Sequence, residues 1–250
     1  MDGCAFMKII DAFWEKRNMG VTCTEVLIES FDTLACLALV NEIESEYQVV
    51  KCPPLKVDIM HGLEDKGFRF IEGILELYHN LKNLESFRIG VVARIVEETE
   101  YSAMSYDDLD ELFAQIRTGI FKVDRVSIDS AFTAEQSANR YIGWINDELT
   151  HGATVYKGTI GKEAFGFFTL LKDSKNIAHS SITSVYNGYE NTGLGLGLYY
   201  YMAYEAAQLG CKAMTGSGVA VSSNNINSLR ALLAVGFQVK HITYVYVKHK

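Results

Sequence analysis

A glycine-rich turn is the part of the sequence whose residue types and spacing most clearly indicate chemistry. Residues 189–198 read Tyr-Glu-Asn-Thr-Gly-Leu-Gly-Leu-Gly-Leu, which places glycine at 193, 195 and 197. The segment follows a predicted strand and begins a predicted helix. Glycine lets the backbone approach a ligand closely, and the first amides of a helix, together with its dipole, favour phosphate oxygens. The turn therefore predicts a phosphate-binding site, with a tight turn that binds no ligand as the alternative.

Two common nucleotide-binding motifs do not fit this spacing. The dinucleotide fingerprint requires GxGxxG and an acidic residue about 20 positions further on, whereas the glycines here follow GxGxG. A P-loop requires Gly-Lys-Ser or Gly-Lys-Thr, and neither follows the turn. The strands before the turn also have the pattern of hairpins rather than of a parallel unit. We therefore exclude both motifs.

The elements that must position this turn alternate between strand and helix in two blocks. In the first block, the pattern of apolar and turn residues predicts strands over 21–29, 47–52 and 68–81, with a bulge at Gly73, and helices over 33–43 and 57–66. An acidic helix over 106–116 follows. The remainder of 82–120 is predicted to be irregular.

The second block begins with a predicted capping box, formed by Thr133 and Gln136 ahead of a helix. A hairpin turn at 161–163 joins the first two of three strands. The predicted bounds are 153–160, 164–171, 177–186, 211–221 and 237–247 for strands, and 193–209 and 225–235 for helices. Three strands followed by alternating helices and strands indicate an α/β protein whose mixed sheet carries helices on both faces.

Composition and charge exclude several classes of protein. The 250 residues include 23 Lys+Arg and 31 Asp+Glu, a formal net charge of −8, whereas binding nucleic acid needs clustered cations. No apolar run approaches the roughly 20 residues that cross a membrane, and the N-terminus lacks the pattern of a signal peptide. The five cysteines are odd in number and have no metal-ligand spacing. We therefore expect buried thiols, no metal site, no nucleic-acid or membrane partner, and a cytoplasmic location.

From the turn onward, the order of motifs resembles the GNAT superfamily of acetyl-CoA-dependent N-acetyltransferases. Gly193 begins a helix, a strand follows, and Asn225 begins a second helix that ends at Gly236-Phe237 before a last strand. In that family a Gln/Arg-x-x-Gly-x-Gly/Ala turn holds the CoA pyrophosphate, and an Asn–helix–Gly-Phe segment borders the pantetheine arm. The resemblance covers residues 130–250. It implies the GNAT fold, acetyl-CoA as co-substrate and no metal.

The first block has a looser resemblance to the two-domain subgroup of this superfamily typified by TDP-fucosamine acetyltransferase. The resemblance lies in segments 50–53, 121–129 and 140–145. That subgroup acetylates an amino group on a nucleotide-linked sugar. The resemblance implies an incomplete GNAT-like domain over 1–120 beside a GNAT acetyltransferase domain over 121–250, and a homodimer is compatible with it.

The resemblance also implies a set of binding residues. Main-chain groups of the strand over 177–186 would contact pantetheine, and amides of the turn would hold the pyrophosphate. The implied cofactor contacts are Ser184, Val185, Asn191, Thr192, Gly193, Leu194, Gly195, Leu196, Gly197, Asn225 and Ser228. Arg125 and Arg140 are candidate contacts to an anionic sugar nucleotide, because Arg can bind phosphate through two hydrogen bonds. An ion pair between Arg125 and Asp129 is the structural alternative.

The implied reaction also needs a base, because an ammonium group cannot attack a thioester. We expect His179 to act as this base, since it begins the strand that borders pantetheine and imidazole titrates near neutral pH. Two alternatives stay open. His179 can be a hydrogen-bonded strand histidine with no catalytic role, or a chain of waters can serve as base.

Two positions depart from the family pattern. Glu190 stands where the family has Gln or Arg, and a carboxylate near pyrophosphate is unfavourable. Leu232 stands where the family often has the tyrosine that protonates the leaving thiolate, and leucine has no proton to donate. The resemblance as a whole implies an N-acetyltransferase for a small primary amine, with a nucleotide-linked amino sugar among the candidates. A peptide or protein amine as acceptor, or a catalytically degenerate acyl-CoA-binding module, stays open.

Overall fold

The computed structural model describes residues 7–29, 32–54, 56–216 and 219–250. Besides a short 3₁₀ helix over Leu84–Phe87, its elements in chain order are β1 (Met7–Asp11), α1 (Phe13–Met19), β2 (Cys23–Ile28), α2 (Thr33–Asn41), β3 (Tyr47–Cys52), α3 (Val57–Asp65), β4 (Arg69–Tyr78), α4 (Gly90–Glu98), β5 (Glu100–Ala103), α5 (Tyr106–Arg117), α6 (Ala134–Thr150), β6 (Thr154–Ile160), β7 (Glu163–Lys172), β8 (Ile177–His179), β9 (Thr183–Val185), α7 (Leu194–Gln208), β10 (Ala213–Met214), β11 (Ala220–Ser222), α8 (Ile226–Ala234) and β12 (Gln238–His249).

The strands form two sheets in which the beginning and the end of the chain are interleaved. The first sheet has the order β1-β2-β3-β12-β4-β11, and the second has β10-β8-β7-β6-β5, with β9 paired to β7. Strand β12 lies antiparallel between β3 and β4, with Tyr244 opposite Cys52 on one side and opposite Gly73 on the other. A bridge between His79 and Met214 joins the two sheets.

Helices cover both faces of the second sheet. Because side chains alternate along a strand, Phe167 of β7 packs with Leu112 of α5 and the core under α6, whereas Phe168 packs with Leu198 of α7. The second of these cores also includes buried residues of α4 and α8 and extends to Leu77 of β4. We refer to the two sides as the α5–α6 face and the α7–α8 face.

The predicted α/β fold with a mixed sheet is confirmed, and local sequence signals account for most of its elements. The capping box is present, because Thr133 Oγ1 accepts the Gln136 N–H at 3.1 Å and Gln136 Oε1 accepts the Thr133 N–H at 2.9 Å. The hairpin turn at 161–163 joins β6 to β7. As expected, four cysteines are buried free thiols: Cys23, Cys36, Cys52 and Cys211. Cys4 lies outside the described residues.

Two predicted strands are each divided in the structure. The segment 177–186 contains two short strands, β8 and β9. Strand β8 lies between β10 and β7, whereas β9 pairs with β7 after β10 has diverged. The segment 211–221 contains β10 and β11, because the chain crosses here from the second sheet to the first; residues 217 and 218 lie outside the described residues. The irregular register in β4 skips Ile71 rather than the predicted Gly73.

The segment 82–120 is more regular than predicted. It contains α4, whose Val92 and Ile95 are buried, and β5, which pairs with β6 at the edge of the second sheet. Helix α4 has no side-chain cap at its start and β5 is only four residues long, so few local signals mark these two elements. They matter for the site because α4 packs against α7, the helix that follows the glycine-rich turn.

Candidate functional site

The second sheet opens beyond β8. At its start β8 pairs in parallel with β10, with Ile177 opposite Ala213 and Ala178 opposite Met214. Further along, β9 pairs with β7, whereas β11 pairs with β4 of the first sheet. Over the described ranges no strand pairing joins β9 to β11. One edge of β9 therefore faces a gap.

The peptide groups of β9 divide between β7 and this gap. The Tyr186 N–H donates to the Phe165 carbonyl at 2.8 Å, and the Ile182 carbonyl accepts the Thr169 N–H at 2.9 Å. Because peptide groups alternate in direction along an antiparallel strand, those of Ser184 also face β7. Those of Thr183 and Val185 consequently face the gap.

This geometry separates the two residues that were expected to offer main-chain groups to pantetheine. Val185 has the required direction. Ser184 has its peptide groups turned to β7, where it lies opposite Phe167, and its hydroxyl donates to the Val185 carbonyl at 3.0 Å. Thr183, which the sequence analysis did not select, replaces Ser184 as the second residue with peptide groups at the gap.

The glycine-rich turn leaves amide groups free at the start of α7. Gly193 adopts φ = 90° and is the N-cap residue, and no side chain of the N-cap satisfies the first turn. The Leu196 N–H donates to the Gly193 carbonyl at 2.9 Å. In the described part of the chain, the N–H groups of Thr192, Gly193 and Gly195 have no protein acceptor. An anion fits such a set of donors at a helix N-terminus.

Gly195 connects this turn to the gap. A Cβ atom built on Gly195 would have as its nearest contact the Val185 Cγ1 atom of β9, at 3.9 Å. Packing within the protein therefore does not require glycine here. The start of α7, which carries the free amides of the turn, therefore lies beside Val185 of β9, whose outer edge is unpaired.

Glu190, the carboxylate that was unexpected in this turn, is ion-paired. Its Oε1 atom lies 2.9 Å from Lys122 Nζ, and its Oε2 atom accepts the Gly188 N–H at 2.6 Å. The hydrogen bond from Lys122 lowers the pKa of Glu190. Lys122 Nζ also donates to Asn187 Oδ1 at 2.9 Å. We call the pair the Lys122–Glu190 latch, because it connects the α5–α6 loop to the glycine-rich turn.

Helix α8 borders the turn from the other side. Asn225 caps the helix by accepting the Ser228 N–H at 3.1 Å, and Asn227 Nδ2 donates to Asn191 Oδ1 at 3.1 Å. Burial raises the pKa of Tyr199 on α7, and a hydrogen bond with Ser228 offsets part of this rise. Asn225 and Ser228 therefore have structural partners in addition to their expected cofactor role.

Arg125 and Arg140 lie in a buried ion network and not at an exposed phosphate site. Arg140 Nε donates to both Glu15 carboxylate oxygens, at 2.9 and 3.1 Å, and Arg125 Nη2 contacts Glu25 and lies 3.5 Å from Glu15. Lys51 Nζ donates to Glu25 at 2.7 Å. Burial raises the pKa of Glu25, but Arg125 and Lys51 outweigh it and lower the pKa to about 2. Each of the two arginines therefore already has a carboxylate partner within the protein.

The alternative pairing of Arg125 with Asp129 is also absent from this network. The Oδ2 atom of Asp129 lies 2.7 Å from His249 Nε2 instead. Arg125 bonds to carboxylates of α1 and β2, so its partners come from a distant part of the sequence.

His179 lies at the root of the gap. Its ring is close to Gly216, because a Cβ atom built on Gly216 would lie 3.9 Å from His179 Cε1. Its neighbour Ala178 belongs to the core on the α7–α8 face, so the alternation of side chains directs His179 to the α5–α6 face. His179 Nε2 lies 3.3 Å from Asp173 Oδ2. Leu232, by contrast, is buried in the core and supplies no proton donor.

Comparison with solved structures connects this geometry to a known fold. The structure is similar to a GCN5-related N-acetyltransferase from Sphaerobacter thermophilus, with a TM-score of 0.64 and 11% identity over 97% of this chain and 76% of that chain. It is also similar to a tandem GNAT protein from the clavulanic acid biosynthesis pathway, with a TM-score of 0.54 and 10% identity over 91% and 75% of the two chains. The fold is that of the GCN5-related N-acetyltransferases.

A third similar structure is a GCN5-related N-acetyltransferase from Kribbella flavida, with a TM-score of 0.53 and 8% identity over 90% of this chain and 81% of that chain. No protein-family model matches the chain, and no curated protein matches it in sequence. Within the ranges that the structure describes, none of the helices combines the length and the apolar character needed to cross a membrane. The similarity therefore defines the fold, and the site's own geometry must carry the function.

Proposed function

We propose that the chain is an acetyl-CoA-dependent N-acetyltransferase that acts on a small primary amine. The observation that carries the proposal is the proximity of Gly195 to Val185, which brings free amides at a helix N-terminus beside an unpaired strand edge. CoA has complementary chemistry at both places. Its pyrophosphate is an anion, and its pantetheine arm contains amides that can bond to a strand edge.

Each part of the site has a defined task in this proposal. The N–H groups of Thr192, Gly193 and Gly195 would hold the pyrophosphate, and the peptide groups of Thr183 and Val185 would hold the pantetheine arm. Acetyl-CoA supplies an acyl group that is activated as a thioester. The amine must lose a proton before it attacks, and His179 is the proposed acceptor of that proton. Because a thiol has a pKa of about 8.5, we propose that the leaving thiolate takes its proton from solvent.

The ion network favours an acceptor without a diphosphate. The two arginines that were expected to bind the phosphates of a nucleotide-linked amino sugar are instead bonded to Glu15 and Glu25. A free amino sugar, or another small amine, has no phosphate that calls for such a partner. We therefore place small unphosphorylated amines ahead of nucleotide-linked ones and ahead of peptides.

Calorimetric titration with acetyl-CoA tests the cofactor part of this proposal. We expect the wild-type protein to bind, and Gly195→Trp to lower the affinity at least tenfold, because the indole would occupy the space between the turn and β9. Circular dichroism should show that the variant is folded. Absence of wild-type binding at millimolar acetyl-CoA, or equal affinity in both proteins, would contradict the proposal.

Thiol release from acetyl-CoA then identifies the acceptor. The assay should compare free amino sugars, polyamines, a nucleotide-linked amino sugar and short peptides at equal concentration. We expect release with an unphosphorylated small amine. Release only with the nucleotide-linked sugar or only with peptides would overturn the proposed acceptor class, and binding without release from any amine would favour a non-catalytic acyl-CoA-binding protein.

A further inference from the structure

Asp173 lies in the turn between β7 and β8 with its carboxylate held in a fixed orientation. Its Oδ1 atom accepts the N–H of Lys175 at 2.9 Å and the N–H of Ile177 at 2.8 Å. The backbone closes the same turn, because the Asp173 N–H donates to the Ile177 carbonyl at 2.9 Å. The hydrogen bond from Ile177 is also the largest cause that lowers the pKa of Asp173. The carboxylate is therefore ionised, and one oxygen is committed to the backbone.

The other oxygen of Asp173 is directed to His179. The Oδ2 atom lies 3.3 Å from His179 Nε2, and both side chains are about 30% exposed, at 32% and 28%. A carboxylate can only accept a hydrogen bond when ionised. The shared proton must then lie on Nε2, which leaves Nδ1 as the unprotonated nitrogen of a neutral ring. Among the described residues, Nδ1 of His179 has no hydrogen-bond partner.

The imidazole ring of His179 also lies where the proposed reaction needs a base. His179 is the last residue of β8, and its Cε1 atom, which lies between the two ring nitrogens, is close to Gly216 where β8 and β10 diverge. The nearest cation of the same hairpin, Lys172, is engaged elsewhere, because its Nζ donates to the Leu209 carbonyl at 2.7 Å. The ring is thus at the root of the gap, and among the described residues its Nδ1 atom has no hydrogen-bond partner.

We propose that Asp173 is a positioning residue for His179, which fixes the Nε2–H tautomer so that Nδ1 accepts the proton of the amine. The inference rests on the proposed function. In the step that it serves, Nδ1 first takes one proton from the ammonium group and releases it to solvent. The free amine nitrogen then forms a bond to the acyl carbon while the carbon–sulfur bond breaks, its second proton moves to Nδ1, and sulfur leaves as the thiolate. Solvent then deprotonates the imidazolium and restores the ring.

Nitrogen-15 NMR of the ligand-free protein tests the tautomer directly. His179→Gln identifies the His179 signals, since they disappear in that variant. We expect the wild-type ring to carry its proton on Nε2 and Asp173→Asn to lose this preference, because an amide in place of the carboxylate can donate to Nε2. A wild-type ring protonated on Nδ1 would overturn the proposal, and this measurement does not depend on whether any Asp173 variant folds.

Kinetics separate positioning from a merely structural turn. Asp173→Asn keeps an oxygen that can accept the N–H groups of Lys175 and Ile177, so the turn should be retained. We expect kcat for the best amine of the panel to fall by about 10²-fold or more, with unchanged affinity for acetyl-CoA. Asp129→Asn is the matched control, because it changes the other carboxylate–imidazole pair, with His249, and should leave kcat unaltered.

The two proposals fail in different ways. An Asp173→Asn protein that is folded and has wild-type kcat would overturn the role of Asp173, while acetyl-CoA binding and turnover by the wild type would still support the proposed function. If the wild type neither binds acetyl-CoA nor releases thiol, the proposed function fails and the role of the Asp173–His179 pair in proton transfer fails with it. Equal losses of kcat in Asp173→Asn and Asp129→Asn would also overturn the inference, because they would indicate a general structural effect.

Discussion

At the scale of single residues, Gly195 and Gly197 lack a side chain for different reasons, although they lie two positions apart in α7. A Cβ atom on Gly197 would lie 2.2 Å from Tyr101 Oη and 2.6 Å from Ile95 Cγ2, so the helix can approach α4 and β5 only with glycine there. The nearest contact of a Cβ atom on Gly195 would be 3.9 Å away. Packing therefore explains Gly197 and does not explain Gly195, which belongs to the proposed CoA site.

This difference predicts opposite effects of one added methyl group. Gly197→Ala should lower the free energy of unfolding by about 1–3 kcal/mol, the usual cost of overpacking a filled site. Gly195→Ala should leave it unchanged or raise it by up to about 1 kcal/mol, because alanine favours a helix more than glycine does. Urea denaturation of both variants measures these changes. Equal stability of the two variants would show that the packing of α7 against α4 and β5 is not what requires glycine.

Single residues also mark the limit of what could be predicted from the sequence. The turn was predictable because its glycines are adjacent and a helix follows directly. The partners of Arg125 and Arg140 were not, since Glu25 is 100 positions away from the first and Glu15 is 125 positions away from the second. Asp173 lies six positions from His179, but only the turn geometry shows that its second oxygen is free to meet the ring.

At the scale of elements, the Lys122–Glu190 latch connects the glycine-rich turn to the loop between α5 and α6. Glu190 belongs to the turn that begins α7, and Lys122 belongs to the connection between α5 and α6. The connection is held a second time, because Asn187 Nδ2 donates to Thr118 Oγ1 at 2.9 Å. The carboxylate that departs from the family pattern is therefore neutralised by a lysine 68 positions away, which no local sequence signal shows.

Replacing one or the other residue of the latch is predicted to change the affinity for acetyl-CoA in opposite directions. Glu190→Gln removes a negative charge near the pyrophosphate and frees the Lys122 ammonium, so the dissociation constant should fall. Lys122→Met leaves the carboxylate unpaired, so the dissociation constant should rise. Because exposed ion pairs contribute about 0.2–1 kcal/mol, we expect each change to be about 1.4- to 5-fold and to shrink at high salt.

Calorimetry at low and high salt measures both variants of the latch. Asp147→Asn is the control, since it breaks the exposed pair of Asp147 with Arg17, which lies at 2.6 Å between α6 and α1. Its affinity for acetyl-CoA should equal that of the wild type. Shifts of the same sign in Glu190→Gln and Lys122→Met would show that the charge of the latch does not act on the bound pyrophosphate.

The elements themselves were largely predictable, but their arrangement was not. Periodicity and caps define helices such as α6 from a few neighbouring residues. In contrast, β12 pairs with β3 and β4, whose residues lie far away in sequence, and the crossing between β10 and β11 depends on which sheet each half of the segment joins. Strand order is a property of the assembled sheet, so a local pattern cannot contain it.

At the scale of the whole molecule, both sheets are built from strands of the two proposed domains, 1–120 and 121–250. Strand β12 has its two neighbours, β3 and β4, in the first segment, and β11 pairs with β4 alone. In the second sheet, β5 of the first segment pairs with β6 of the second. The buried ion network also crosses this boundary, because Glu15 and Glu25 bond to Arg125 and Arg140.

This interleaving predicts that residues 121–250 do not fold alone. Without the first segment, β11 and β12 lose every strand neighbour that they have in the first sheet, and Arg125 and Arg140 lose the carboxylates that compensate their burial. A buried charge without its partner costs about 3–5 kcal/mol, which is a large part of the total stability of a protein of this size. We expect no cooperative thermal transition for residues 121–250 in circular dichroism.

The matched experiment expresses 1–120 and 121–250 together as separate chains. The cut lies in the connection between α5 and α6, outside any helix or strand, so every strand pair and the buried ion network can form across it. The two chains should purify as a complex that melts cooperatively and binds acetyl-CoA. If residues 121–250 alone melt cooperatively and bind acetyl-CoA with the affinity of the intact chain, the second segment is an independent domain, and the strands that it shares with the first are not needed to form the site.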